Sequence, residues 1–339
     1  MISLIASITS IRELTLGEVS KPLSLDQLSS LQQLEALAVA PLQPPAAVLD
    51  AVAAGCTKLK RLVLGCLPTQ SLATAFAEVE ELQLINGPGG QTPSLTAMRR
   101  STATLIGLAR AFPKLRVLGV AGWQVDSPGV EAIAQVKQLT HLLLHGRGSS
   151  QPANLLLPLL TMPRLQQVQL LGLQGLSDDW VADAVKKVGG QGGSFQAVTH
   201  LSLGAAAASG DTQMLLPTSK TSGSGGTAGG TGLAERSNSG SAAASTAMAA
   251  AAAAAASGCN CLTDKGLVRL FVCPRLQRLE LANLMGVTLA GVKALARGCP
   301  TLQQIAVKGS PAVAAATPDA VIRAGQCGDG RVVDVVVQG

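Results

Sequence analysis

One hexapeptide rhythm constrains this chain more than any other feature. LQRLEL (Leu276, Leu279, Leu281), LKRLVL (Leu59, Leu62, Leu64) and LTHLLL (Leu139, Leu142, Leu144) share the form LxxLxL. Looser copies are IRELTL from Ile11, LEALAV from Leu34, VEELQL from Val79, LRVLGV from Leu115, LQQVQL from Leu165, VTHLSL from Val198 and LQQIAV from Leu302. VVDVVV from Val332 reads as a terminal copy. Side chains alternate along a strand, so positions four and six point to one side and positions three, five and seven to the other. A unit this short cannot bury its apolar side alone. It needs a like neighbour on each flank, and stacked units make a parallel sheet.

Successive copies begin 23, 25, 20, 36, 24, 26, 33, 78, 26 and 30 residues apart. Most of these spacings lie in or near the leucine-rich-repeat period of about 20–29 residues. Between copies the pattern turns helical: GVEAIAQV, TDKGLVRL and TLAGVKALA set apolar residues three and four apart. Ser127-Pro128, Thr263-Asp264 and Thr317-Pro318-Asp319 supply cap-like openings. The fold class predicted is α/β: a leucine-rich-repeat solenoid of about ten to eleven repeats, a right-handed horseshoe with a parallel sheet on the concave face and helices on the convex face. Aromatic residues are 2% of the chain and Tyr is absent, so the core must be built from Leu, Val and Ala, which suits a regular stack.

The spacing of 78 has a simple cause. After Gly204 the chain is almost exclusively Ala, Gly, Ser and Thr until about Ser257. Setting aside residues 205–257 restores a 25-residue period. This insertion is expected to lie within one repeat, between strand and helix, and to stay disordered for want of apolar area to bury. The organisation read is therefore 1–204, N-terminal repeats; 205–257, a low-complexity insertion; 258–339, C-terminal repeats. NGPGGQTPS from Asn86 reads as a second looped insertion before a long helix through Leu108, and GGQGG near Gly190 as a flexible turn. VVDVVVQG ends the chain on an apolar strand for which the sequence shows no cover.

Seven cysteines invite a metal or redox reading. One column of the repeat, three residues before each strand copy, holds Ile8, Leu31, Cys56, Phe76, Phe112, Val136, Met162, Phe195, Cys273 and Cys299. Phe, Val and Ile cannot ligate zinc, so the column asks for a buried apolar side chain, and cysteine serves there as a small hydrophobe. Pro follows in four copies (Pro113, Pro163, Pro274, Pro300). Cys259 aligns with Leu284 and Leu173 and reads as core; Cys261 aligns with Gly286 and Gly175 and has no reading. No paired C-x₂-C spacing for zinc occurs. An odd count of cysteines without a secretory signal suits reduced thiols and a cytoplasmic setting.

The combination C-x-x-[IL]-T-D-x-G-L then C-P-x-L is carried by Cys259, Leu262, Thr263, Asp264, Gly266, Leu267, Cys273 and Pro274, and repeats at Val287, Thr288, Gly291, Val292, Cys299 and Pro300. It resembles the cysteine-containing leucine-rich repeats of F-box–LRR proteins. The resemblance implies substrate recognition for a cullin-type (SCF) ubiquitin ligase, or an adaptor role in ubiquitin-dependent degradation. The family's F-box has no counterpart ahead of Ile11. A second reading is a structural scaffold of the cytoskeleton or ciliary axoneme. It rests on the composition of the insertion, which resembles that of repeat proteins from GC-rich green algae.

The candidate partner-binding residues are those the alternation turns to the concave face: Arg61, Glu81, Gln83, His141, Leu143, His145, Gln167, Gln169, His200, Arg278, Glu280 and Gln304. All three histidines lie here. His141 and His145 are four residues apart on one strand, roughly 13 Å, and His141 and His200 two strands apart, roughly 10 Å, so neither pair is read as sharing an ion. No nucleophile elbow, phosphate loop, HExxH or dinucleotide fingerprint occurs, so no enzyme, cofactor or metal is implied. Net charge is +6 but scattered, with no run longer than Arg99-Arg100. Together with the scarcity of stacking aromatics, this argues for a protein partner and against nucleic acid. No apolar stretch of about 18 residues reads as membrane-spanning.

Overall fold

Each LxxLxL copy is a short strand. The computed structural model describes residues 10–16, 25–39, 46–65, 76–85, 105, 107–122, 125–145, 151–174, 176–189, 197–205, 262–270, 273–316, 321–324 and 333–338. The low-complexity insertion beyond Ala205, Cys259 and Cys261, and most of the expected helix before Leu108 lie outside them. The strands are β1 (Glu13–Leu16), β2 (Ala36–Val39), β3 (Arg61–Leu64), β4 (Glu81–Ile85), β5 (Val117–Ala121), β6 (His141–His145), β7 (Gln151–Pro152), β8 (Gln167–Gln174), β9 (His200–Ala205), β10 (Arg278–Ala282), β11 (Gln304–Lys308), β12 (Val321–Ala324) and β13 (Val333–Gln338). They form one sheet in the order β1-β2-β3-β4-β5-β6-β8-β9-β10-β11-β13-β12. From β1 to β13 every pairing on this path is parallel.

Register is uniform. Leu37, Leu62, Leu82, Leu118, Leu142, Val168, Leu201, Leu279, Ile305 and Val335 form one apolar column from β2 to β13, all buried. At the entries of β2 to β6 and β8 to β11 one carbonyl of the preceding repeat takes two amide donors: Glu35 O from Lys60 N and Arg61 N, Thr140 O from Gln166 N and Gln167 N, Gln277 O from Gln303 N and Gln304 N. β9 and β10 pair in the same register although the insertion separates them, so the repeat resumes in step on its far side.

The column that contains the cysteines closes a turn. Leu59 N donates to Cys56 O, Leu115 N to Phe112 O, Leu165 N to Met162 O, Leu276 N to Cys273 O and Leu302 N to Cys299 O, at 3.1–3.4 Å. This bond spans three residues, which is why the column sits three before the strand. Pro113, Pro163, Pro274 and Pro300 then occupy the second position of a β-turn, whose φ proline already holds. Leu31, Cys56, Phe76, Phe112, Val136, Met162, Cys273 and Cys299 are all buried. Burial pushes the Cys56 thiol up to about 11. It pushes Cys273 up to about 12, with the neighbouring Cys299 adding to the effect. At pH 8 thiolate at Cys273 is suppressed about a thousandfold relative to a thiol at 9.0. Native protein is thus expected to resist iodoacetamide at Cys273, and urea-unfolded protein to react there at the rate of a free thiol; mass spectrometry of the tryptic peptides would show it.

A second layer fills the crossovers: helices Ala46–Gly55, Leu108–Ala111, Ser127–Ala134, Asp178–Gly189, Asp264–Arg269, Leu289–Gly298 and Pro311–Ala316. Among the described residues, the crossovers Leu25–Ser30 and Ala153–Thr161 depart from α-geometry and are 3₁₀. In the latter, Pro158 lacks the N–H that an α-turn requires. Neighbouring helices need about 8–10 Å and neighbouring strands about 4.8 Å, so the stack curls with its strands on the inside. The result is the leucine-rich-repeat solenoid that the period predicts. One expectation is corrected. VVDVVVQG is not an uncovered edge, because β12 lies antiparallel against β13, Val321 opposite Val336 and Ala324 opposite Val333.

The helix starts of the C-terminal repeats are tied together by aspartates. Asp178 Oδ1 accepts from Thr263 N (2.7 Å) and Gly266 N (3.0 Å), and Asp178 Oδ2 from the Thr263 hydroxyl (2.5 Å). One repeat on, Asp264 accepts from Thr288 N (2.8 Å) and the Thr288 hydroxyl (2.6 Å). Thr263 and Thr288 in turn cap their own helices through Lys265 N and Gly291 N. The Thr-Asp-x-Gly motif is therefore both a cap and a clasp between repeats. The Asp178–Thr263 clasp closes across 85 residues and the Asp264–Thr288 clasp across 24, each aspartate taking both the amide and the hydroxyl of its threonine.

Candidate protein-binding face

All twelve candidate residues lie on the inner face of the sheet, in rows set by strand register. The first row runs Arg61, Glu81, Val117, His141, Gln167, His200, Arg278 and Gln304 across neighbouring strands. The second runs Gln83, Gly119, Leu143, Gln169, Ser202 and Glu280. His145 stands in a third row with Ile85, Ala121 and Leu171. Alternation alone predicts solvent at all of these, but burial is uneven: Gln83 is 5% and Ser202 4% exposed, whereas Arg278 is open.

The N-terminal part of the face is internally paired. Glu81 Oε1 accepts from Gln83 Nε2 at 2.6 Å, and Arg61 Nε lies 3.3 Å from the same oxygen, an ion pair off line for a hydrogen bond. Gly119 presents no side chain, and Gln83 and Leu143 close over the gap. Gln83 Oε1 is left buried without a partner. Beside this row, at strand position two, runs a feature the sequence reading missed: Arg12, Glu35, Lys60, Glu80 and Arg116 alternate in sign. Glu35 bridges Arg12 and Lys60 at 3.7 Å each, and Glu80 meets Arg116 at 3.8 Å. These pairs are exposed and worth well under about 1 kcal/mol each, but they oppose any slip of register by one repeat. The signal was available, since the five residues occupy one column of the repeat.

Two histidines are held alike. The Thr140 hydroxyl donates to Arg116 O (3.1 Å) and contacts His141 Nδ1 (2.8 Å); the Thr199 hydroxyl donates to Gln166 O (3.3 Å) and contacts His200 Nδ1 (2.8 Å). The roles follow the tautomer: a neutral ring with its hydrogen on Nδ1 donates to the hydroxyl and leaves Nε2 a bare acceptor, and a ring with its hydrogen on Nε2 accepts from the hydroxyl at Nδ1. Burial lowers all three histidine pKa values below 6.5; Glu81 opposes this at His141, while Arg278 and His141 add to it at His200. Because the folded values are the lower ones, the stability these rings contribute is full above pH 6.5. It is lost as pH falls through their folded values, the unfolded chain binding protons first. The urea midpoint is expected to drop between pH 7.5 and 5. The drop should shrink in the triple variant His141→Gln, His145→Gln, His200→Gln; equal slopes in the two proteins would refute the assignment.

Described residues of the face line two hollows. One, of about 410 Å³, lies at the strand entries among Lys60, Arg61, Glu81, Arg116, His141 and Arg164. The other, of about 330 Å³, spans β8 to β11 and is lined by Gln167, Gln169, His200, Ser202, Arg278, Glu280, Gln304 and Ala306. Glu280 is bound to Lys308, one strand over. Among the described residues no three His, Cys, Asp or Glu side chains converge as metal ligands would, and no helix is long and apolar enough to cross a membrane.

No family model and no curated protein matches the chain. Solved structures similar to it include the TLR13–ssRNA13 complex, with 13% identity over 90% of this chain and 33% of that one at TM-score 0.47. Another is the Toll–Spatzle complex of Drosophila, with 13% identity over 91% and 31% at TM-score 0.45. A third is the Rad7–Elc1 complex of yeast, with 16% identity over 95% and 81% at TM-score 0.35. The chain spans about a third of the length of the first two. At these scores the likenesses carry no argument, and the solenoid stands on the chain's own strand order and register.

Proposed function

We propose that this leucine-rich-repeat solenoid is a non-catalytic interaction module that grips a protein partner along its inner sheet face. The observation that carries the reading is the face itself. Eleven parallel strands give a surface roughly 50 Å long, on which the first row stands half-buried from Arg61 to His200, and among the described residues no three His, Cys, Asp or Glu side chains converge. Half-buried rows supply contact area without the ordering cost of long exposed side chains. A photo-crosslinking residue placed at Leu143 or Gln169 is expected to trap a discrete partner from the source cell. The same residue at Lys293, exposed on the helix Leu289–Gly298, is expected to trap none. Partner capture from Lys293 alone would overturn the reading.

A finer reading rests on the cysteine-type motif around Thr263–Pro274 and Thr288–Pro300: recognition of substrates for a cullin-type ubiquitin ligase, as receptor or adaptor, in a reducing cytoplasmic compartment. Cys56, Cys273 and Cys299 are free and buried, as such a compartment allows. Co-purification of the ligase's adaptor subunit with the full-length protein supports it, and a clean negative sinks it. Protein rather than nucleic acid is part of the same proposal: of the face cations, Arg61 and Lys308 are already paired with Glu81 and Glu280. Retention of a single-stranded RNA oligomer at 0.15 M salt would count against it.

A further inference from the structure

The Arg278 guanidinium on the inner face has no acidic partner among the described residues. Lys308 is bound to Glu280 and Arg61 to Glu81. Among the described residues the Arg278 guanidinium has no ion pair or hydrogen bond, its backbone amide being tied to Thr199 O, and the residue is exposed. It stands at the rim of the 330 Å³ hollow, between His200 on β9 and Gln304 on β11 in its own row. A second, independent feature lies at the floor of the same hollow. Ser202 is 4% exposed, and its hydroxyl is buried without a partner. An unpaired buried hydroxyl costs about 1–3 kcal/mol, which a ligand acceptor would relieve. Ser202 sits directly opposite Glu280 and diagonal to Arg278, within reach of a long side chain at about 7–8 Å. The other charges nearby are accounted for: Glu280 is neutralised by Lys308, and Asp334 lies beyond Gln304, about 10 Å from Arg278.

We infer that this hollow is a carboxylate pocket, which takes a Glu or Asp side chain of the partner protein with Arg278 as its charged clamp and the Ser202 hydroxyl as a buried donor. Guanidinium and carboxylate match as planar, bidentate partners of unit charge. One unpaired guanidinium beside a neutral histidine suits a monoanion and leaves a phosphate dianion half-neutralised. His200 completes the rim with its Nδ1 tied to Thr199 and its Nε2 turned elsewhere than that hydroxyl. The inference rests on the proposed use of the inner face for protein binding and specifies one anchor of that contact.

The test is selection of a random dodecapeptide phage library on the immobilised full-length protein. Selected sequences are expected to share one acidic position, and their affinity is expected to fall at least tenfold either on Glu→Gln substitution in the peptide or in Arg278→Gln protein. The two changes together should do little more than either alone. Ser202→Ala should weaken binding severalfold, while Lys293→Gln, on the helix Leu289–Gly298 away from the face, should leave it unchanged. Arg278 is exposed, so its variant is expected to fold, and circular dichroism checks that. Selected peptides without an acidic position, an acidic position indifferent to Arg278→Gln, or tighter binding of a phosphoserine peptide would each overturn the pocket. In those outcomes the face remains a binding surface. Failure of the wild-type protein to select any peptide would overturn the pocket, and crosslinking from Leu143 and Gln169 then decides separately whether the face binds protein at all.

Discussion

Gly291→Ala is expected to destabilise the C-terminal repeats by about 3 kcal/mol, although at an unconstrained helix position the same change stabilises by about 1 kcal/mol. The glycine is third in its helix, where alanine would ordinarily be the better residue. Here a Cβ would overlap the Asp264 carboxylate, with the Asp264 Cβ itself only 2.8 Å away. The carboxylate must move, and in moving it releases both Thr288 N (2.8 Å) and the Thr288 hydroxyl (2.6 Å). Hydrogen bonds to a charged acceptor contribute about 1.5–3 kcal/mol each, of which partial rebinding to water returns some. Asp264→Ala should cost a similar amount by removing the acceptor outright. The double variant is the decisive measurement: with the carboxylate gone, alanine at 291 meets only the Cβ of residue 264 at 2.8 Å, which a shift of a few tenths of an ångström relieves. It should therefore be no less stable than Asp264→Ala alone, a coupling of about 2–3 kcal/mol between contacting residues. Additive losses in urea denaturation would show that the glycine is constrained by something other than the clasp. Gly266, whose Cβ would overlap Asp178 Oδ1 and Leu262 Cδ1, is placed to behave alike.

The contrast between Asp264 and the strand residues shows what a single chain discloses. Strand rhythm is legible because alternation is a local rule: Leu279 and Leu281 must both enter the core whatever lies beside them. The column of Leu31, Cys56, Phe76 and Cys273 is legible for the same reason, since one environment recurs and only side-chain volume varies within it. Thr263 reads as a cap from its neighbours alone, and it is one. That Asp178 reaches Thr263 across 85 residues is not legible, because it depends on how far apart consecutive helices settle. β12 escapes for a similar reason, as an antiparallel strand outside the repeat has no copy to be compared with. On the candidate face, alternation identifies which side chains point inward from the strand. It does not tell that Gln83 and Ser202 are covered while Arg278 is open, nor that Lys308 takes Glu280 and leaves Arg278 alone. Pairing between strands decides those, and with them the chemistry of the hollow.

Phe112→Ala is expected to be the most damaging single change in the N-terminal half, at about 3–5 kcal/mol for a fully buried ring. Phe112 is 0% exposed and stacks on Phe76 of the preceding repeat, centroids 5.3 Å apart and planes 9° from parallel. The two rings occupy the same column of adjacent repeats, so the stack is an interface between repeats rather than a contact within one. In a solenoid, stability is approximately a sum of repeat and nearest-neighbour terms. Deleting a neighbour term therefore uncouples what lies on either side. Phe112→Ala should lower the urea midpoint and also split the transition, with amides of β2 to β4 exchanging before those of β6 to β11. Phe112→Leu restores most of the volume and places there a residue the column already accepts at Leu31. It should cost about 1.5 kcal/mol or less and keep one transition. A single transition in the alanine variant, shifted but not split, would mean that the strand ladder rather than the ring column couples the repeats. The carbonyl of Glu80, which takes both Arg116 N (2.8 Å) and Val117 N (2.9 Å) at that same junction, would then be the stronger of the two links.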